Sequence, residues 1–549
     1  MQVHPTRTSV DLAIAGLSTV LAGLVLQQAV IVAWGSALLV GLALARAVTE
    51  IGVARIRGAG FEMLWREKPR TVRVARAEAV EIQAEVRNRD SRAARFSGLR
   101  AVASPELSIE IVPERGEVPG GGRLAVTLRV VGTRAGRFGI HGLSLEVQGG
   151  PGLYEVPLTF ANPYGVDVMP RAYKSFARSA RGGRSHQVAD RGRPGVIAGG
   201  GDELRELREL VAGDPFRRIA WKASAKRGKL LVREYEREER DIVWLVLDAS
   251  CELLAGAPGR APLDVAIDEV ATFAVRHAAR GDRVGLAIVA ARARAFITPD
   301  RGPGHTVKLL SALGEATSVL DADRCGLDAN ELAARALEHM RPLDPASASR
   351  VRASELERVA RRADRLRVRA PFKAGEVLAT TRTDRSLRRY LASFGIGAPA
   401  RLEPERGQTD LELIRLLRRL PREKPKPSLI YLWSPAPDPD ERRLLLRALA
   451  ELPRRRQLAW LPMRLDVGLE ASDSDASRAA VSALAVRARV QHERGLEALA
   501  RLGVRVERVS LPAVQSVLRI EHQHVAVERD LPVDPDANVP DAEQLPGAQ

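Results

Sequence analysis

Asp248, Ser250 and Glu252 follow an uninterrupted apolar run, Ile242-Val243-Trp244-Leu245-Val246-Leu247. Open parallel sheets keep their ligand sites at such carboxyl ends of strands. Two carboxylates and a hydroxyl at alternate positions suggest a metal-dependent hydrolase, but no base, nucleophile and oxyanion donors stand with them at recognisable spacing. Gly228-Lys229 is followed by Leu230 and lacks the upstream glycine of a phosphate loop, which argues against ATP hydrolysis. His522 and His524 share a strand face without further ligands and read as surface. Gly199-Gly200-Gly201 before a helix would make an anion nest, yet Asp202 and Glu203 oppose an anion there. Neither Cys251 nor Cys325 has a neighbouring histidine, so no catalysis by this chain is expected.

A different chemistry stands upstream. Arg208, Arg217, Arg218 and Lys222 lie near Trp221, and arginine with tryptophan is a common anchor for an acidic protein surface. The favoured alternative is internal: these residues lock a connector onto the following domain, with Asp214 and Glu234 as partners, because tryptophan is usually buried in its own domain. Locally, Asp202 is expected to cap a short helix whose Leu204, Leu207 and Val211 share a face. Asp214 is expected to cap a second helix with Pro215 in its first turn, Phe216, Ile219, Ala220 and Ala223 on one face, and Gly228 at its end. Leu230-Leu231-Val232 then returns as a strand.

The elements that must position Asp248 alternate strand and helix. Helical pattern over 263–279 is followed by strands over 284–289 and 295–297, a helix over 307–313, a strand over 429–433 and apolar segments at 458–463 and 504–509. This predicts a doubly wound, mainly parallel sheet, interrupted near 321–405 by a charged helical insertion in which 354–366 is amphipathic. Between 60 and 170 the period is two instead, as in Val80, Ile82, Ala84 and Val86 or Leu124, Val126, Leu128 and Val130. Turns such as Pro119-Gly120-Gly121-Gly122 separate these runs, which predicts a small antiparallel sandwich, a spacer or docking module.

The stretch from Gly213-Asp214-Pro215-Phe216-Arg217-Arg218-Ile219-Ala220-Trp221-Lys222 through Gly228-Lys229-Leu230-Leu231-Val232-Arg233-Glu234 resembles the signature of the bacterial domain of unknown function 58 family. That resemblance implies a membrane-anchored protein with a von Willebrand factor A-like domain, working beside a MoxR-type AAA+ ATPase. An A-type domain holds a divalent cation with Asp-x-Ser-x-Ser, a threonine from a second loop and an aspartate from a third. Asp248 and Ser250 match the first loop, and Thr409 in Gly407-Gln408-Thr409-Asp410-Leu411 matches the second. Glu252 replaces the second serine, and Pro435 in Trp433-Ser434-Pro435 stands where the aspartate belongs. The implied cofactor is Mg²⁺ on Asp248, Ser250, Glu252 and Thr409, with Asp438 able to swing in. The two departures favour a vestigial loop that closes the sheet edge.

Net charge is +17 over 549 residues, but the arginines are scattered and no nucleic-acid fold motif accompanies them, so nucleic acid is not an expected partner. A basic membrane-surface binder is the remaining alternative, with Arg55 to Arg76 as the lipid contact. Leu12 to Ala45 contains no charge over 34 residues. As one helix this would run about 51 Å, too long for one bilayer core, and Gln27-Gln28 sits at its middle. Arg7 precedes the stretch and Arg46, Arg55, Arg57 and Arg66 follow it, so a hairpin with both flanks in the cytoplasm is expected, at a bacterial inner membrane. The expected organisation is a transmembrane hairpin over 1–58 with spans near 10–26 and 29–48, a β-sandwich-like domain over 59–170, a connector with the signature over 171–240, the A-like α/β domain over 241–510 and a partly disordered tail over 511–549.

Overall fold

The computed structural model describes residues 3–149, 152–172, 198–211, 214, 216–236, 241–345, 351–401, 405–452, 457–466 and 474–507, with backbone alone over 198–206, 218 and 234–236. Residues 173–197 of the expected connector and the tail from 508 onward, including His522 and His524, lie outside the described residues.

Two apolar helices open the chain, α1 (Arg7–Val25) and α2 (Ala29–Ala59), and both are long and apolar enough to cross a membrane. They break at Leu26 to Gln28, where Gln27 takes a positive φ of 51°. Small residues let the two backbones meet: a Cβ on Gly35 would lie 2.8 Å from the Gly16 carbonyl oxygen, and one on Gly23 would lie 2.7 Å from the Val32 nitrogen. Leucines on the outer faces, such as Leu21 and Leu44, are exposed. The second helix runs past the expected end at 48, because its last turns bury Val53 and Ile56 in the next core.

That core lies between two sheets. Strands β1 (Phe61–Trp65), β2 (Thr71–Ala75), β3 (Ala79–Asn88), β4 (Ala94–Ala103), β5 (Leu107–Val112), β6 (Gly116–Val118), β7 (Arg123–Gly132), β8 (Gly136–Gln148) and β9 (Tyr154–Met169) form one sheet in the order β1-β3-β7-β5 and another in the order β9-β8-β4-β6. The alternating residues Ile82, Ala84, Val126, Leu128 and Val130 are buried against Leu143, Leu145 and Val147, as the period of two requires. The expectation of a purely antiparallel sandwich is corrected at one place: β2 pairs in parallel with the end of β9, Thr71 opposite Gly165.

Strand β10 (Ala198–Glu209) pairs antiparallel with β11 (Leu231–Glu236), and α3 (Trp221–Arg227) lies between them. The helix expected after Asp202 is therefore a strand: the ladder with β11 outweighs the local helical spacing of Leu204, Leu207 and Val211.

The α/β unit comprises β12 (Ile242–Asp248), α4 (Pro262–Ala279), β13 (Arg283–Val289), β14 (Ala293–Asp300), α5 (Pro303–Glu315), the insertion helices α6 (Ala329–Leu343), α7 (Leu356–Leu366) and α8 (Arg382–Phe394), then α9 (Arg406–Arg419), β15 (Leu429–Pro435), α10 (Arg443–Glu451), β16 (Leu458–Met463), α11 (Asp475–Arg501) and β17 (Arg505–Val506). Its sheet order is β14-β13-β12-β15-β16-β17, parallel except for the edge strand β14. Trp244, Leu432 and Trp460 pack on Leu413, Leu449 and Leu499 on one face. On the other, Tyr431 and Trp433 meet Phe273 of α4 edge-on, with ring centroids 4.8 and 5.2 Å apart.

The sandwich is welded to this unit and is no loose spacer. Arg76 pairs with buried Asp268, and Arg134 holds buried Asp264 at 2.9 and 3.0 Å, both carboxylates on α4. Ser104 donates to the Gly395 carbonyl at 2.7 Å, reaching the end of the insertion.

Candidate functional site

Asp248 ends β12, the strand with parallel neighbours on both sides, and is fully buried. Its Oδ1 accepts from the Ser250 backbone N–H at 3.2 Å and hydroxyl at 2.7 Å. Its Oδ2 accepts from the Ser434 hydroxyl at 2.7 Å, delivered by β15, and from Arg406 Nη1. Arg406, the first residue of α9, also sets its Nε 3.0 Å from Glu252 Oε1. Burial alone would push the Asp248 carboxyl up, but the Arg406 and Arg442 guanidiniums and the two serine hydroxyls outweigh it and hold the group below the usual carboxylate range. Asp248 is thus a saturated anion.

Thr409 is not in a loop. It lies in the first turn of α9, buried, and its hydroxyl donates to the Glu405 carbonyl at 3.2 Å. Glu405 Oε1 in turn accepts from the Cys251 N–H at 2.6 Å, tying α9 to the loop after β12. Arg442 clamps Asp410 with Nε 3.0 Å from each carboxylate oxygen and donates to the Pro435 carbonyl at 2.6 Å. Asp438 does not swing in; it caps the Asp440 N–H at 2.8 Å and faces Arg494 at 3.6 Å.

These contacts decide the fit of a divalent cation. Mg²⁺ needs open carboxylate lone pairs in near-octahedral order. Here both oxygens of Asp248 are engaged, and a guanidinium sits between Asp248 and Glu252. The residues do not fit the metal. Among the described residues no group of three His, Cys, Asp or Glu side chains could hold one. Cys251 is also unsuited to attack, since burial pushes its thiol up despite the nearby Arg324.

In the signature, Arg208 and Asp214 are spent on each other through two hydrogen bonds of 2.7 and 2.6 Å. Asp214 also accepts from the Val211 N–H at 2.9 Å, so it closes a turn behind it and does not cap the helix ahead. Phe216 to Arg218 form a 3₁₀ turn, and α3 begins only at Trp221, with Gly228 ending it at φ 66° as expected. Ile219 and Ala220 are buried, but Trp221 is 63% and Phe216 76% exposed. The favoured internal role for Trp221 is therefore corrected: its ring faces out, beside exposed Arg217 and Lys222. The side chains of Arg218 and Glu234 lie outside the described set. Gly199 to Gly201 lie in β10 and not before a helix.

Sequence reasoning missed Arg406, Arg442 and Arg324. A signal existed: an acidic residue at 252 adds a half-buried charge that must be matched, and Arg406 directly precedes the glycine of the threonine motif. Arg324 gave none; fully buried, it reaches the carbonyls of Ala249 at 2.7 Å and Ala316 at 2.8 Å. A cavity of about 330 Å³ opens instead where sandwich, sheet and insertion meet, lined by Glu106, Arg134, Phe138, Arg294 and Ile396. Asp248, Ser250, Glu252 and Thr409 do not line it.

Residues 206–368 match the family described as Protein of unknown function DUF58, which supports that family for this chain. Curated proteins gave no match. Among solved structures, a PapD-like domain of human CEP192 is 13% identical, covering 20% of this chain and 85% of its own, with a TM-score of 0.16. A FixG-related protein from Vibrio parahaemolyticus is 12% identical, covering 19% of this chain and 94% of its own, with a TM-score of 0.13. Scores this low assign no fold.

Proposed function

We propose that this protein is a membrane-anchored interaction protein without catalysis of its own, whose A-like α/β domain faces the cytoplasm and recruits an acidic partner surface, a MoxR-type AAA+ ATPase by the family resemblance. The observation that carries this reading is the exposed Trp221 and Phe216 beside Arg217 and Lys222, within the segment that matches the family. Exposed aromatic side chains next to exposed cations in the chain bury well against a partner and supply charge complementarity. The apolar hairpin α1–α2 supports anchoring, the arginines at both flanks support a cytoplasmic orientation, and the parallel sheet with Asp248 at its end supports the A-like assignment.

A hydrolase at Asp248 is disfavoured because its carboxylate is fully engaged by the hydroxyls of Ser250 and Ser434 and by Arg406. The test is capture of a purified MoxR-type ATPase by the detergent-solubilised chain, comparing wild type with Trp221→Ala and with Arg217→Glu/Lys222→Glu. Affinity is expected to fall about 30-fold or more for Trp221→Ala, the scale of a binding hot spot, with the melting curve unchanged. Equal capture by all three proteins would sink the proposal.

A further inference from the structure

Arg406 occupies the position that a cation would need. Its guanidinium bonds Asp248 through Nη1 and Glu252 through Nε, and its side chain is only 19% exposed. Two oddities of the sequence then become one. Glu252 stands where a neutral hydroxyl would leave the charge on a metal to the aspartates, and here it supplies the second carboxylate for a monovalent, planar cation. Pro435 removes a third carboxylate from the neighbouring strand end, where Ser434 gives Asp248 a neutral hydrogen bond instead. Two carboxylates already outnumber the single guanidinium between them, and a third would add to that excess.

We infer that Arg406 is a built-in cation, replacing a divalent metal at the sheet end, so that the site keeps its geometry without Mg²⁺ and is indifferent to chelators. A bound metal could offer an open coordination position to a partner carboxylate, whereas this guanidinium is already neutralised by Asp248 and Glu252. Partner binding therefore belongs elsewhere on the surface. The ion pair exists whether or not the α3 surface captures an ATPase, so the two ideas fail separately.

The probe is Mn²⁺, read by electron paramagnetic resonance and by the melting midpoint of the full-length protein in detergent. Wild type and Arg406→Lys are expected to show no Mn²⁺ binding that Asp248→Asn removes. Arg406→Ser frees oxygen ligands at Asp248, Ser250, Glu252 and Ser434 and should bind Mn²⁺, raising its midpoint by about 5 °C at a hundredfold excess over Kd. Adding Asp248→Asn to Arg406→Ser should abolish that gain. Asp248-dependent Mn²⁺ binding by wild type overturns the inference, a measurement that needs no variant at position 406 to fold. So does a folded Arg406→Ser protein that takes no Mn²⁺, since the site would then be no cation cradle at all.

Discussion

Glu269 gives the sharpest handle on the α/β unit, because its proton is coupled to folding. It sits on α4 and accepts from the Trp433 indole N–H at 2.9 Å. Burial pushes its carboxyl up to about 7 from an ordinary 4.5; the indole hydrogen bond opposes this, and the charge of neighbouring Asp268 adds to it. The folded protein thus keeps a proton that the unfolded chain has released between pH 4.5 and 7. Stability from this group is fully present below pH 4.5 and is lost as pH rises through 7. At about 1.4 kcal/mol per pH unit the ceiling is about 3 kcal/mol, and partial exposure of Glu269 lowers the expected loss to about 2 kcal/mol. Glu269→Gln keeps an acceptor for the indole and removes the titration. Melting followed by tryptophan fluorescence should find the variant more stable than wild type at pH 8, by a few degrees, and no different at pH 4.5. Parallel pH profiles for the two proteins would refute the assignment.

Arg134→Ala should cost about 3 kcal/mol by stranding the buried Asp264 carboxylate, and Arg134→Met with Asp264→Asn should recover most of it, measured as denaturation midpoints. Gly35→Leu should force α1 and α2 apart, since even a Cβ there would meet the Gly16 carbonyl; faster proteolysis of the hairpin in detergent is the readout. Arg324→Ala should lower the midpoint sharply, because its guanidinium satisfies the carbonyls of Ala249, Ala316 and Ser318 in the interior. Arg324→Lys should rescue little of this, as one ammonium lacks the forked donors.

Periodicity made the larger elements legible. The apolar run at 242–247, the helix at 263–279 and the alternating strands at 80–86 and 124–130 all stand close to where the sequence implied, because each buries a face whose spacing the backbone geometry fixes. What periodicity cannot see is partnership. Leu204, Leu207 and Val211 have helical spacing, yet the segment pairs with β11; Trp221 has the composition of a core residue, yet the core beside it is filled by Ile219 and Ala220. Asp248 was legible as a strand-end carboxylate, while its counter-ion arrives from residue 406, 158 positions later.

The same long-range pairing gathers on α4. Its Asp264 and Asp268 receive arginines from the sandwich, and its Glu269 holds Trp433 one residue before Ser434, the hydroxyl that fixes Asp248. A displacement of the sandwich relative to α4 would leave two buried carboxylates unpaired, at several kcal/mol each. The helical hairpin packs directly into the sandwich through Val53 and Ile56, and the sandwich in turn meets α4 through the Arg76–Asp268 and Arg134–Asp264 pairs, so buried contacts run from the membrane-competent helices toward the sheet end.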